Sequence, residues 1–201
     1  MITSYSTLQA AVADFLNRDD LTAMIPTFIQ MAEARVSREL RHWRMEVNAT
    51  YSADAQYEAL PSDWVETIRL YVPGGNRLGL VSHAEIEAMR TENDDVTGAP
   101  RYYALVAGQI ETYPTPSEAT TVNHLYYGKI PALSDSDTSN WLLDEAPDVY
   151  LYGSLLHSAP YLVEDQRLPI WASLHDQAIM ALQAASDRAR HSGTGLKMKV
   201  R

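Results

Sequence analysis

The chain has 201 residues, carries 26 acidic against 16 basic side chains for a formal net charge of −10, and contains no cysteine. This length suits one domain, or one domain with a sizeable insertion. The lack of cysteine excludes a disulfide framework, a thiolate metal site and a cysteine nucleophile. The first residues do not have the pattern of a secretory signal, and no stretch of about 18 consecutive apolar residues occurs, so we expect a cytoplasmic protein that does not enter a membrane.

The acidic charge is spread unevenly along the chain. Residues 1–47 carry 5 basic and 6 acidic side chains, residues 48–130 carry 5 and 11, and residues 131–191 carry 3 and 9. The last ten residues carry 3 basic side chains and no acidic one. Modules that bind nucleic acid take most of their affinity from clustered Lys and Arg, so the acidic charge of residues 1–191 argues against such a module. A protein that lets DNA pass without binding it is compatible with this charge.

Two amphipathic helices are predicted near the N-terminus. Ser6 and Gln9 have the spacing of a capping box, and apolar residues then recur at helical spacing until a helix end near Asn17. A second apolar stripe predicts a main helix over residues 26–42, because Pro26 is tolerated in the first turn of a helix.

After Trp43 the apolar period changes from 3.6 towards 2, which predicts a β-rich insertion. Gly74 and Gly75 predict a hairpin turn, and Ser82 with Glu85 predicts a capped helix that ends before Asn93. The predicted strands cover residues 47–60, 65–72, 77–81, 101–106, 110–113 and 122–130, and the turn Ala107-Gly108-Gln109 joins two of them as a hairpin.

Helical spacing returns after a linker rich in Ser and Asp. It predicts helices over about 146–161 and 165–191, with Pro147 and Pro169 in their opening turns and Gly193 as a C-terminal cap. The sequence therefore predicts an α+β fold. Its parts are the N-terminal helices of an α-helical bundle (1–46), a β-rich insertion (47–130), the C-terminal helices of the bundle (131–191) and an extended C-terminal arm (192–201).

Residues that could carry catalysis do not form a recognisable set. None of the six histidines lies three or four residues from another, so we expect no metal site. Ser154 and His157 invite comparison with a serine hydrolase, but the G-x-S-x-G turn that exposes such a nucleophile is missing and both residues fall in a predicted helix. We expect no catalytic residue and no cofactor.

The arginines of the main helix form the one basic patch inside the body. Arg35, Arg38 and Arg41 recur at helical spacing beside Glu33 and Glu39. Such a face is most simply a solvated one, paired with those two glutamates. The alternative is a subunit interface, in which these arginines meet the acidic surface of a neighbouring copy.

The C-terminal arm has an alternating pattern. Three apolar residues alternate with three basic ones, in the order Leu196, Lys197, Met198, Lys199, Val200 and Arg201. A segment of this kind can add to the sheet edge of a partner as a strand, so that each face presents one class of residue. Taken alone, its composition is that of a frayed tail.

Several stretches, in order along nearly the whole chain, resemble the head–tail adaptor (connector) proteins of tailed bacteriophages. They are Asp19-Asp20-Leu21, Ile25-Pro26, Ala32-Glu33-Ala34-Arg35, Leu60-Pro61-Ser62-Asp63-Trp64, Gly98-Ala99-Pro100-Arg101-Tyr102-Tyr103, Tyr126-Tyr127, Ile130-Pro131-Ala132-Leu133-Ser134, Asn140-Trp141-Leu142-Leu143, Pro147-Asp148 and Tyr150-Leu151-Tyr152-Gly153. The resemblance implies a helical bundle with a β-rich insertion, assembled into a ring that is usually twelvefold, and a C-terminal arm inserted against the portal protein. It implies no catalytic residue.

We therefore expect a structural adaptor of the virion, assembled in the host cytoplasm, that joins the portal to tail or nozzle proteins while DNA passes through its lumen. Two alternatives stay open at this point. One is a small soluble hydrolase that uses His157 or carboxylates. The other is a virion-associated module that binds a host protein through its β-rich insertion.

Overall fold

A computed structural model of the chain describes residues 1–75, 77–94, 96–162 and 165–192. In chain order its elements are α1 (Tyr5–Leu16), α2 (Ile25–Glu39), β1 (Glu46–Ala53), β2 (Tyr57–Ala59), β3 (Trp64–Tyr71), β4 (Gly79–Leu80), α3 (His83–Glu92), β5 (Tyr102–Val106), β6 (Gln109–Tyr113), β7 (Thr120–Gly128), α4 (Trp141–Glu145), α5 (Pro147–His157) and α6 (Leu168–His191). The α+β class is confirmed. The predicted arm lies outside the described residues beyond Ser192.

The chain divides into two compact units. The helical unit comprises Met1–Arg44 and Ile130–Arg201, and the β-rich unit comprises Met45–Lys129. No helix within the described parts of the chain combines the length and the apolar character needed to span a bilayer.

Helix α5 forms the centre of the helical unit, where it packs against α1, α2, α4 and α6. Its buried residues lie all around the helix, as expected for a helix enclosed by others. Gly153 allows α2 to approach closely, since a Cβ at this position would lie 3.2 Å from the Cβ of Ala32. The outer helices each bury one apolar stripe, exemplified by Leu8 and Val12 in α1 and by Phe28 in α2.

The helix ends differ in detail from the sequence predictions. The capping box of α1 is formed by Ser4 and Thr7 rather than by Ser6 and Gln9. The end of α1 at Asn17, which adopts the left-handed conformation with φ 52°, is as predicted. Helix α2 ends at Glu39, three residues earlier than predicted, because Leu40 is already extended.

The predicted C-terminal helices also shift. The predicted helix over 146–161 is shorter and is preceded by a separate helix, α4, which Asn140 caps through its side chain. Ala146, whose backbone is not helical (φ −143°, ψ 69°), separates α4 from α5. Helix α6 begins at Leu168 instead of residue 165, and Pro169 lies in its first turn as predicted.

The β-rich unit contains two sheets. Strands β1, β7 and β3 form an antiparallel sheet with β7 in the centre, and strands β2, β6, β5 and β4 form a second sheet in that order. Alternate residues of β7, among them Val122, His124 and Tyr126, are buried, which agrees with the period-2 pattern of its sequence. Helix α3 lies on the second sheet, where Ile86 packs with Tyr113.

Two strand predictions hold only in part. The single strand predicted over 47–60 is two strands, β1 and β2, which belong to different sheets. The turn predicted at Gly74 and Gly75 is present and is followed by an antiparallel bridge between Tyr71 and Arg77, but the strand predicted over 77–81 is reduced to β4, which pairs in parallel with β5. The hairpin of β5 and β6 and the capping box of Ser82 and Glu85 are as predicted.

Candidate interaction surface

The arginines predicted as a subunit interface have different surroundings. Arg35 Nε donates a hydrogen bond to Glu39 Oε1 at 3.0 Å, and its Nη2 lies 3.8 Å from Asp176 Oδ1 of α6. Arg41 Nη1 donates to the carbonyl oxygen of Leu40 at 2.7 Å, at the C-terminal end of α2, where a cation is favourable. Arg35 and Arg41 therefore already interact within their own chain.

Arg38 is exposed, and within the described part of the chain its guanidinium has no ion-pair partner. Met31, Arg35 and Arg38 lie four and three residues apart, which places them along one side of α2 that we call the α2 outer face. Met31 is 47% exposed. This face thus combines an apolar side chain with cationic ones.

A surface of opposite charge lies on the same unit. Residues 135–148 contain five acidic side chains and no basic one, and all five are exposed: Asp135, Asp137, Asp144, Glu145 and Asp148. We call this stretch the acidic segment. Glu145 is 3.3 Å from Arg44, while the other four have no salt bridge within the described residues.

Glu33 does not pair with the arginines, contrary to the expectation of a solvated face. Its Oε1 accepts hydrogen bonds from the backbone nitrogen of Leu133 at 2.8 Å and from the Tyr150 hydroxyl at 3.2 Å. Burial raises the pKa of Glu33, and the two hydrogen bonds oppose this effect. Glu33 therefore connects α2 to the linker and to α5.

Asn140 completes this buried polar cluster of Glu33, Asn140 and Tyr150. Asn140 Nδ2 donates to the carbonyl oxygen of Pro131 at 2.7 Å and to Tyr150 Oη at 2.6 Å, and Asn140 Oδ1 accepts from the backbone nitrogen of Leu143 at 2.9 Å. These residues come from four of the stretches that carry the family resemblance. Stretches that are far apart in the sequence thus meet in this buried polar cluster.

The β-rich unit contains a similar junction. The Tyr126 hydroxyl donates to Asp63 Oδ1 at 2.9 Å, and the Lys129 backbone nitrogen donates to the Asp63 carbonyl oxygen at 2.6 Å. A Cβ at Gly128 would lie 2.9 Å from Asp63 Oδ2, so a side chain at this position would displace the Asp63 carboxylate. The turn before β3 is thereby held against the end of β7.

The predicted portal-binding residues, Leu196 to Arg201, lie outside the described residues. The part of the chain that leads to them is basic. The last turn of α6 contains Arg188, Arg190 and His191, all of them exposed. Positive charge is favourable at this end of a helix and continues in the sequence of the arm.

The residues considered for hydrolysis do not form a catalytic set among the described residues. Ser154 is fully buried within α5, and its hydroxyl oxygen has no hydrogen-bond partner there. Burial lowers the pKa of His157, with Arg35 acting in the same direction. A groove of about 660 Å³ in the β-rich unit is lined by Arg77, Arg101 and Tyr102 but by no described carboxylate, histidine or serine.

One cluster of potential metal ligands was missed because only pairs of histidines were considered. His83 and Glu87 lie four residues apart on α3, and Glu111 lies on β6. Their ligand atoms are all within 4.8 Å of one another, and Glu111 is fully buried. The spacing of His83 and Glu87 in a predicted helix was a usable signal, whereas the approach of Glu111 depends on tertiary structure.

Comparison with known proteins gives one family and no curated relative. Residues 3–197 match the family described as SU10 adaptor protein. A search of curated proteins found no match. The matched range includes both units and every stretch behind the resemblance, so the chain belongs to the SU10 adaptor protein family, a family of phage head–tail adaptors.

Proposed function

We propose that the chain is the subunit of a ring, twelvefold by the family resemblance, that lies beneath the portal protein of a tailed phage virion. The ring joins the portal to tail or nozzle proteins and performs no catalysis. The observation that carries this proposal is the family match over residues 3–197, since it includes both structural units and the beginning of the arm.

Ring contacts are assigned to the α2 outer face and the acidic segment. A closed ring needs a head-to-tail interface in which two different surfaces of one subunit meet those of its neighbours. Arg38 and Met31 supply a cationic and partly apolar surface, and the four carboxylates that lack a salt bridge supply the complementary one. Electrostatic complementarity of this kind sets register and orientation more than total affinity.

Charge reversal tests the interface. Arg38→Glu places like charges together and is expected to weaken ring assembly at least tenfold, because such contacts cost on the order of a few kcal/mol. Lys129→Glu makes the same charge change in the β-rich unit and should leave assembly unchanged. The expected readout is the ring fraction in the presence of purified portal, measured by light scattering or native mass spectrometry, and equal ring fractions for both variants would refute the assignment.

The arm, residues Leu196 to Arg201, is assigned to the portal. Its basic residues continue the positive charge of Arg188 and Arg190, and its apolar residues suit a strand added to a sheet edge. Removing residues 193–201 should leave the fold intact and abolish co-sedimentation with purified portal. A full-length variant with glutamine at the three basic positions of the arm separates the role of charge from that of length.

Light scattering with and without portal tests the whole proposal. The free chain should have the mass of one 22.5 kDa subunit, and the mixture should contain twelve chains per portal ring. A mass for the mixture equal to that of portal alone would refute the function. The net charge of −10 further leads us to expect a lumen that repels duplex DNA, so a ring that retards DNA at physiological salt would contradict free passage.

A further inference from the structure

The structure assigns a metal site to the β-rich unit: we propose that His83, Glu87 and Glu111 bind one divalent ion of the zinc class. His83 and Glu87 belong to α3, while Glu111 belongs to β6. The site is independent of the surfaces assigned above to the ring and the portal.

Helical spacing brings the first two ligands together. Residues four apart lie on the same side of a helix, so the imidazole of His83 and the carboxylate of Glu87 point the same way from α3. Both side chains are exposed, and His83 retains 46% of its side-chain surface. They can therefore adjust to an ion without disturbing the core.

Glu111 supplies the third ligand from the sheet beneath. Its side chain has no exposed surface, and its Oε2 lies 2.7 Å from His83 Nδ1. The other carboxylate oxygen, Oε1, accepts a hydrogen bond from Gln56 Nε2 at 3.0 Å and lies 3.5 Å from Arg90 Nε. These two contacts orient the carboxylate and leave Oε2 directed at His83, which is the role that outer-shell partners have in metal sites.

The charge state also suits a cation. The carboxylate of Glu111 lies beside the guanidinium of Arg90, with 3.5 Å between Oε1 and Nε. The cluster therefore contains two carboxylates, those of Glu87 and Glu111, and one guanidinium, that of Arg90. A dication therefore enters a cluster whose net charge is negative.

The distances are close to those of a zinc site. Tetrahedral Zn²⁺ with bonds of about 2.1 Å holds its ligand atoms about 3.4 Å apart. The 2.7 Å contact of His83 with Glu111 must open by less than about 1 Å, and the widest separation, within 4.8 Å, must close by up to about 1.4 Å. One nitrogen and two oxygen ligands favour zinc over Mg²⁺ and Ca²⁺, which prefer oxygen alone. Bound zinc would join α3 to β6.

Calorimetric titration of the metal-free, full-length protein with Zn²⁺ tests the site. We expect one site per chain, at least about tenfold weaker in both His83→Ala and Glu87→Gln. His191→Ala is the matched control, because His191 also lies four residues from a carboxylate, that of Asp187, on a helix. This control should bind zinc as the unsubstituted chain does.

Thermal unfolding gives a second measurement. Zinc should raise the unfolding midpoint of the unsubstituted chain and of His191→Ala, since a ligand that binds only the folded state stabilises it, and Mg²⁺ at the same concentration should not. Undiminished zinc affinity in His83→Ala or in Glu87→Gln overturns the proposal, as does a loss of affinity in the control. Because both substituted ligands are exposed, we expect these variants to fold.

Discussion

Replacing Tyr150 by phenylalanine tests whether the buried polar cluster holds the helical unit together. The substitution keeps the ring and so creates no large cavity, but it removes the hydroxyl that accepts from Asn140 at 2.6 Å and donates to Glu33 at 3.2 Å. Asn140 keeps its bond to Pro131, and Glu33 keeps its bond from Leu133. The change therefore isolates two hydrogen bonds.

The expected loss follows from the nature of these bonds. A neutral hydrogen bond contributes about 1 kcal/mol, and one to a charged group contributes about 1.5 kcal/mol or more. We expect Tyr150→Phe to lower the free energy of unfolding of the helical unit by about 2–3 kcal/mol. With a urea slope of about 2 kcal/mol per molar, the midpoint should fall by about 1 M or more.

Tryptophan fluorescence is a suitable probe, because Trp43, Trp141 and Trp171 lie in the helical unit and only Trp64 lies in the β-rich unit. Tyr152→Phe is the matched control on the same helix, since the Tyr152 hydroxyl has no hydrogen bond within the described residues. A free energy of unfolding for Tyr150→Phe within about 0.5 kcal/mol of that of this control would refute the reasoning, because surface changes stay in that range.

Three further experiments test how burial and close packing affect stability. Because burial raises the pKa of Glu33, the unsubstituted chain loses stability as the pH rises through that pKa and the carboxyl group ionises. Glu33→Gln should therefore gain stability relative to the unsubstituted chain between pH 4 and pH 7. A difference in urea midpoint that stays constant over this range would contradict the reasoning. Burial lowers the pKa of His124 to about 4, so the β-rich unit should lose up to about 3 kcal/mol as the pH falls from 6.5 to 4, and an NMR titration midpoint of His124 near 6.5 would disprove it. Gly128→Ala should destabilise the β-rich unit by about 1–3 kcal/mol through its clash with Asp63, whereas Gly98→Ala, where nothing lies within 4 Å of the new Cβ, should change thermal stability little; equal midpoints would count against the clash.

Local signals predicted the helices well. Pro26 marks the first turn of α2, Asn17 ends α1, and the Ser82 and Glu85 pair caps α3, because each acts on backbone groups within one turn. The displaced cap at Ser4 has the same explanation, since several polar residues near this helix start can accept the same backbone hydrogen bonds. Such competition moves an end by one or two residues without removing the helix.

Strand pairing was harder to predict from the sequence. The alternation in β7 indicated a half-buried strand, yet nothing in it indicates that its neighbours are β1 and β3. The separation of β1 from β2 and the parallel pairing of β4 with β5 also depend on partners far along the chain. Residues of a strand specify which face is buried, whereas its partner is chosen by the packing of the whole unit.

The candidate sites divide in the same way. The sequence alone revealed the basic arm, the arginines of α2 and the stretches that resemble phage adaptors. Only the structure separated exposed Arg38 from Arg35 and Arg41, which already bind within their own chain, and only the structure brought Glu111 to His83.

By itself, the sequence determined the α+β class, the order of helical and β-rich segments, the acidic body and the family resemblance, since composition, period and local capping are properties of neighbouring residues. The tertiary structure decided that Glu33 faces inward to Tyr150, that Asn140 joins α4 to the linker, and which strands pair. Glu33 meets Leu133 and Tyr150 across about a hundred positions of the chain, and the approach of residues so far apart is set by the burial of apolar surface and by the need to satisfy buried polar groups.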